Sequence, residues 1–97
     1  MSHVAPYPKE FAALERLIRL TRNDTQQARS AADLLLAWWD ATRYGGFDLQ
    51  HLWTLNANQR EDALEVLRYI ARAGHGPELL GLTDEFSLIA KHWRSTE

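Results

Sequence analysis

A helix that is apolar around most of its circumference is stable only where other elements cover it on several sides, and such a helix constrains everything around it. The stretch NDTQQARSAADLLLAWWDATRYGG, from Asn23 to Gly46, reads as one. At 100° per residue Ala28, Ala31, Ala32, Leu35, Trp38, Trp39 and Thr42 form one broad face, which Leu34, Leu36, Ala37 and Ala41 widen. Only Gln26, Arg29, Asp33 and Asp40 make a continuous polar strip. The predicted helix therefore covers about 25–44 and is the central element of the fold. Asp24 is expected to cap its first turn, with Gln27 completing a capping box, and Gly45-Gly46 to stop it in a left-handed turn.

Amphipathic segments flank this helix. Pro8 suits the first turn of a helix in which Phe11, Leu14, Leu17 and Ile18 share a face, with Lys9, Arg16 and Arg19 opposite, and which runs to about Arg22. After the Gly pair, Asp48 is expected to cap a short turn over Leu49 to Trp53 that folds back over the tryptophan end of the central helix. Asn56 and Gln59 form a second capping box, opening a helix over 57–73 with Ala63, Leu64, Val66, Leu67, Ile70 and Ala71 inward. Glu65 and Arg68 pair on its outer side. Gly74-His75-Gly76-Pro77 ends it, a helical turn follows at Pro77 to Leu80, and Gly81 interrupts that turn. Thr83 is expected to cap a last helix to about residue 94, with Phe86, Ile89, Ala90 and Trp93 closing the core.

No segment alternates at period two, so no sheet is expected. The predicted fold is all-α, an irregular orthogonal bundle of four main helices near 8–22, 25–44, 57–73 and 83–94. Residues 1–7 are expected to be a flexible arm, 8–94 one domain, and 95–97 frayed. A chain of 97 residues is long enough for a core that needs no disulfide or structural metal. The absence of cysteine rules out both a disulfide framework and a thiolate zinc site. The longest apolar run, LLLAWW at 34–39, is far short of the ~20 residues of a membrane span. The start MSHVAPYPKEF lacks the basic and apolar regions of a secretory signal, so a cytoplasmic protein is expected. Net charge is −2 with both signs mixed along the chain, which gives no global attraction to nucleic acid or anionic membrane.

The stretch ALERLIRLTRNDTQQARSAADLLLAWWDATRYGGFDLQHLW, with ARAGHGPELLG beyond it, resembles a family of short uncharacterised bacterial proteins often encoded on integrated mobile elements. The resemblance spans about Ala12 to Trp93, and its most specific feature is AWWDA before a Gly-Gly-Phe-Asp-Leu turn. It implies a bacterial, cytoplasmic accessory protein and carries no catalytic residue onto this chain.

Little in the chain points to chemistry. Asp33 and Asp40 lie ~10.5 Å apart along the helix axis, and Asp33 is expected to pair with Arg29 one turn earlier. Among His3, His51, His75 and His92 no two have the i,i+4 spacing of a helical metal pair, and His51 finds its nearest carboxylate at Asp48. No metal and no cofactor is implied.

Four tryptophans in 97 residues are the one compositional excess. Trp38 and Trp39 point about 100° apart, so Trp39 is assigned to the main core, Trp38 to the Phe47 to Leu55 loop, and Trp53 and Trp93 to the ends. Alternatively one or two of them stay exposed as interface anchors. Trp38, Phe47, Leu49, Leu52, Trp53 and Leu55 then form a candidate partner surface. The expected function is a non-enzymatic protein-interaction module, an adaptor or inhibitor, with a homodimer as one form. The competing reading is a DNA-binding accessory protein using a basic patch of Arg16, Arg19, Arg22 and Arg29. The helix after the first turn is too apolar for a recognition helix, which counts against it.

Overall fold

A computed structural model describes residues 8–95. The expected arm 1–7 and residues 96–97 lie outside them. The described residues form four α-helices, α1 (Pro8–Leu20), α2 (Gln26–Tyr44), α3 (Ala57–Ala73) and α4 (Thr83–Arg94), with 3-10 turns at Leu49–Thr54 and Pro77–Leu80. No strand occurs among them. The all-α architecture with four main helices is thus as expected. No helix among the described residues is long and apolar enough to cross a membrane.

The helix α2 is the hub. It packs against α1, α4 and the Leu49–Thr54 turn, while α1 also packs along α3. Seven consecutive residues, Ser30 to Leu36, are buried, and a helix rotating 100° per residue achieves that only when covered on nearly every side. Its predicted polar strip is broken at Asp33, which is buried, whereas Gln26, Arg29 and Asp40 are exposed.

Several ends differ from the sequence reading. Thr25, not Asp24, caps α2 by accepting a hydrogen bond from the Ala28 N–H at 3.0 Å. The side chain of Asp24 meets His92 of α4 at 3.0 Å instead. The first helix stops at Leu20 because the Thr21 hydroxyl takes the Ile18 carbonyl at 2.6 Å and the following N–H groups of Arg22 and Asn23 reach back three residues, not four. Leu82, not Thr83, occupies the cap position of α4 and supplies no side-chain cap. The predicted capping box on α3 is present in both directions, Gln59 N–H to Asn56 at 2.8 Å and Asn56 N–H to Gln59 at 2.9 Å. Gly74 ends that helix at φ 70°, in the left-handed region that glycine enters without a Cβ clash.

The helix α2 also breaks at Asp40, whose extended φ of −163° and ψ of 85° interrupt the helical run. The Asp40 carboxylate then accepts from the Arg43 N–H at 3.2 Å and so starts the last turn afresh. Arg94 shows how far this bends the chain. Its Nε donates to the Tyr44 carbonyl at 3.0 Å while its Nη2 holds Asp33 at 2.6 Å. In a straight helix those two residues would lie ~16 Å apart, beyond the reach of one guanidinium, so the turn after Asp40 folds back toward Asp33.

Phe86 of α4, fully buried, sits at the core centre. Trp38 and Trp39 both pack T-shaped against it, with centroids at 5.9 and 6.0 Å. Trp38 therefore belongs to the core as well as to the loop side, and Trp39 also stacks on Tyr44 at 5.4 Å. Each indole N–H finds an acceptor in the α3 to α4 connection, Trp38 at the His75 carbonyl and Trp39 at Glu78. Trp93 closes the far end, donating to the Thr21 carbonyl at 2.9 Å. On α3 the deepest residues are Ala63, Val66 and Tyr69, so the expected inward set is shifted: Leu64 and Ala71 are exposed, and Tyr69 replaces them.

Phe86→Ala is expected to cost about 3–5 kcal/mol in urea unfolding, since it removes the one ring that both tryptophans contact. Leu88→Ala, two residues on but 63% exposed, should stay within about 0.5 kcal/mol of the parent.

Candidate functional site

The six residues of the expected partner surface do not share one fate. Leu55 is only 3% exposed and joins the core beneath the start of α3, so it is no part of a partner surface. Leu52, half-buried, packs against the same core. Leu49 and Trp53 stand out, at 70% and 75% exposure, because a 3-10 turn of six residues has too few faces to bury three large apolar groups against α2. The turn has no buried residue at all, and Trp53 seals no end.

Beside it lies an open groove of about 290 Å³. Leu34, Ala37 and Trp38 of α2, Phe47 and Leu49 of the connection, and Leu67 and Ile70 of α3 line it. No charged side chain is among them, and the indole N–H of Trp38 is already satisfied by His75. The groove therefore has no charged side chain with which to hold a polar ligand and offers mainly contact area to an apolar one. Leu64, 44% exposed, continues the Leu67 stripe one turn earlier along α3.

The turn is fastened to α2 by polar contacts on its other side. Ser30 and Thr54 hydroxyls lie 2.7 Å apart, and the Thr54 hydroxyl also donates to the His51 carbonyl at 2.8 Å. His51 Nδ1 lies 3.4 Å from Asp33 and is buried without a hydrogen bond. Asp48 serves as the cap of the turn, accepting from Gln50 N–H at 2.9 Å. Thus the carboxylate facing His51 is Asp33, not Asp48, and the partner of Asp33 is Arg94, not Arg29. With Arg94 bound at 2.6 Å and side-chain exposures of only 27% and 12%, this pair is the most shielded ionic contact described. Sequence spacing could not find it, because Asp33 and Arg94 are 61 residues apart.

Two of the four arginines of the expected basic patch are paired with carboxylates. Arg16 grips Asp62 with two hydrogen bonds, at 2.9 and 3.0 Å, and these bonds, then the charge of Asp62, raise its pKa above the ordinary value. Arg22 lies 3.4 Å from Glu85. Arg19 and Arg29 are exposed. Two free arginines on different helices make a weak footprint for a phosphate backbone. Among the described residues no group of three or more His, Cys, Asp or Glu is placed to hold a metal ion.

The chain belongs to DUF7673, a family of unknown function, whose model matches residues 11–94. No curated protein and no solved structure matches it.

A double-mutant cycle checks the ionic lock. Asp33→Ala and Arg94→Met should each destabilise by about 2–3 kcal/mol with a coupling of about 1–3 kcal/mol, because either change alone strands a shielded charge. A coupling near zero in urea unfolding would mean that water, not Asp33, satisfies the guanidinium.

Proposed function

We propose that this member of DUF7673 is a non-enzymatic interaction module, an adaptor or inhibitor that works by presenting an apolar face to large apolar side chains of a protein partner. The proposal includes the setting implied by the resemblance, the cytoplasm of a bacterium carrying an integrated mobile element. One observation carries the reading: an uncharged groove whose rim residue Leu49 and neighbour Trp53 stand in water although the same chain buries every other tryptophan at least in part. Trp is enriched at the centres of binding faces because it contributes a large contact area for few torsions. The polar chemistry supports the same reading. Asp33, a buried carboxylate, is committed to Arg94, and two of the four arginines of the basic patch, Arg16 and Arg22, hold Asp62 and Glu85. DNA binding through Arg16, Arg19, Arg22 and Arg29 is the weaker alternative for that reason.

Site-specific photo-crosslinking in the source cells tests the proposal. A photoreactive residue at position 49 should give a discrete adduct of higher mass, and the same residue at Leu88, exposed on α4 away from the groove, should not. Equal labelling at both positions, or none at position 49, would overturn it.

A further inference from the structure

We propose that the connection from Gly45 to Thr54 is a lid on this groove, hinged at Gly45 and Gly46 and held to α2 by a weak latch, and that the module binds with the lid lifted. This rests on the groove being a binding face and says how that face is gated. The lid supplies one wall of the groove. The other two walls, α2 and α3, meet through the rings of Trp38 and Tyr69 at 6.2 Å, and their backbones barely approach each other. Phe47 and Leu49 complete the lining that Leu34, Ala37, Leu67 and Ile70 begin. Lifting them widens the groove into an apolar cleft between the two helices, and Leu34, only 4% exposed, gains area there.

The segment is free at one end and fixed at the other. Gly45 has φ 97°, and a Cβ added at either glycine meets nothing within 4 Å, so this end turns in open space. At the far end Leu55 is buried and its carbonyl accepts from the Arg60 guanidinium at 2.9 Å, with the capping box at Asn56 directly behind it. Between these ends no residue of Leu49–Thr54 is buried. The connection from α3 to α4 is the contrast, since Pro77 is fully buried there and both indole N–H groups of α2 bond to it. The latch is incomplete. Among the described residues the one side-chain hydrogen bond from the lid to α2 joins Thr54 to Ser30 at 2.7 Å. The second contact, His51 Nδ1 to Asp33 at 3.4 Å, forms no hydrogen bond, and Arg94 holds the other carboxylate oxygen at 2.6 Å and so fixes the carboxylate where it stands. A buried nitrogen without a partner penalises the closed state alone, because water satisfies it once the lid lifts.

Thiol labelling of the pure full chain tests this, because the sequence has no cysteine of its own. Ser30 is 2% exposed and faces Thr54 of the lid, whereas Val66, 1% exposed, lies in the core on α3. The thiol of Ser30→Cys should react with an aromatic disulfide reagent about a hundredfold faster than that of Val66→Cys, since lid opening uncovers the first and only global unfolding the second. Adding His51→Leu removes the unpartnered nitrogen and should slow labelling at position 30 about fivefold. Ser30→Cys with Thr54→Cys then clamps the lid by a disulfide that a reductant releases. The apolar dye 1-anilinonaphthalene-8-sulfonate should bind the reduced form and lose about tenfold in affinity on oxidation, because the clamp removes the open population. Equal labelling of the two thiols, no slowing by His51→Leu, or dye binding indifferent to oxidation would each overturn the proposal. A lid that stays shut while position 49 still gives its adduct would refute this proposal alone and leave the interaction module standing.

Discussion

The structure depends on two indoles that meet at one phenyl ring. Adjacent tryptophans on a helix point about 100° apart, so a single flat neighbour cannot cover both with its face. Phe86 solves this by packing T-shaped against both, which fixes α4 against α2 in position and rotation at once. The consequences spread outward. Each indole N–H, once pulled toward the core, must be given an acceptor. The acceptors at His75 and Glu78 lie on the same short connection, which brings the end of α3 and the start of α4 to the tryptophan side of the molecule.

Much of this was legible in the chain because it is local. Element number and type followed from apolar periodicity, and the capping box at Asn56 and Gln59 follows from a four-residue pattern whose partners are fixed by helix geometry. The cap of α2 moved by one residue because Asp24 and Thr25 are both good acceptors, and the choice was decided from 68 residues away, where His92 engages Asp24. The break at Asp40 had no signal either. Asp within an apolar helix reads as one polar position of a strip, and only the contact of Arg94 with Tyr44 and Asp33 shows why the last turn bends back.

The candidate site was half legible. The excess of tryptophan and the apolar connection after the Gly pair pointed to the segment where Leu49 and Trp53 are exposed, yet Leu49, Leu52, Trp53 and Leu55 look alike in a sequence. Their sorting depends on which of them a short 3-10 turn aims at α2, and that pushes Leu55 into the core and Trp53 into water. The ion pairs within the basic patch were hidden for a different reason. Arg16, Arg19 and Arg22 do cluster along the chain, but Asp62 and Glu85 arrive from α3 and α4 to claim two of them.

The pairing of Asp33 with Arg94 also has a bearing on how the chain is made. A nascent chain carries α2 out of the ribosome with its apolar circumference complete while α4, which supplies Phe86 and Arg94, is still to be synthesised. Until then only α1 and the Leu49–Thr54 turn are available to cover it. For that interval the most aggregation-prone surface in the molecule is open on the α4 side, together with a lone carboxylate at Asp33. That charge, unwelcome in a finished core, then acts as a gatekeeper in the unfinished one, discouraging α2 from burying itself against another nascent chain until its own arginine emerges.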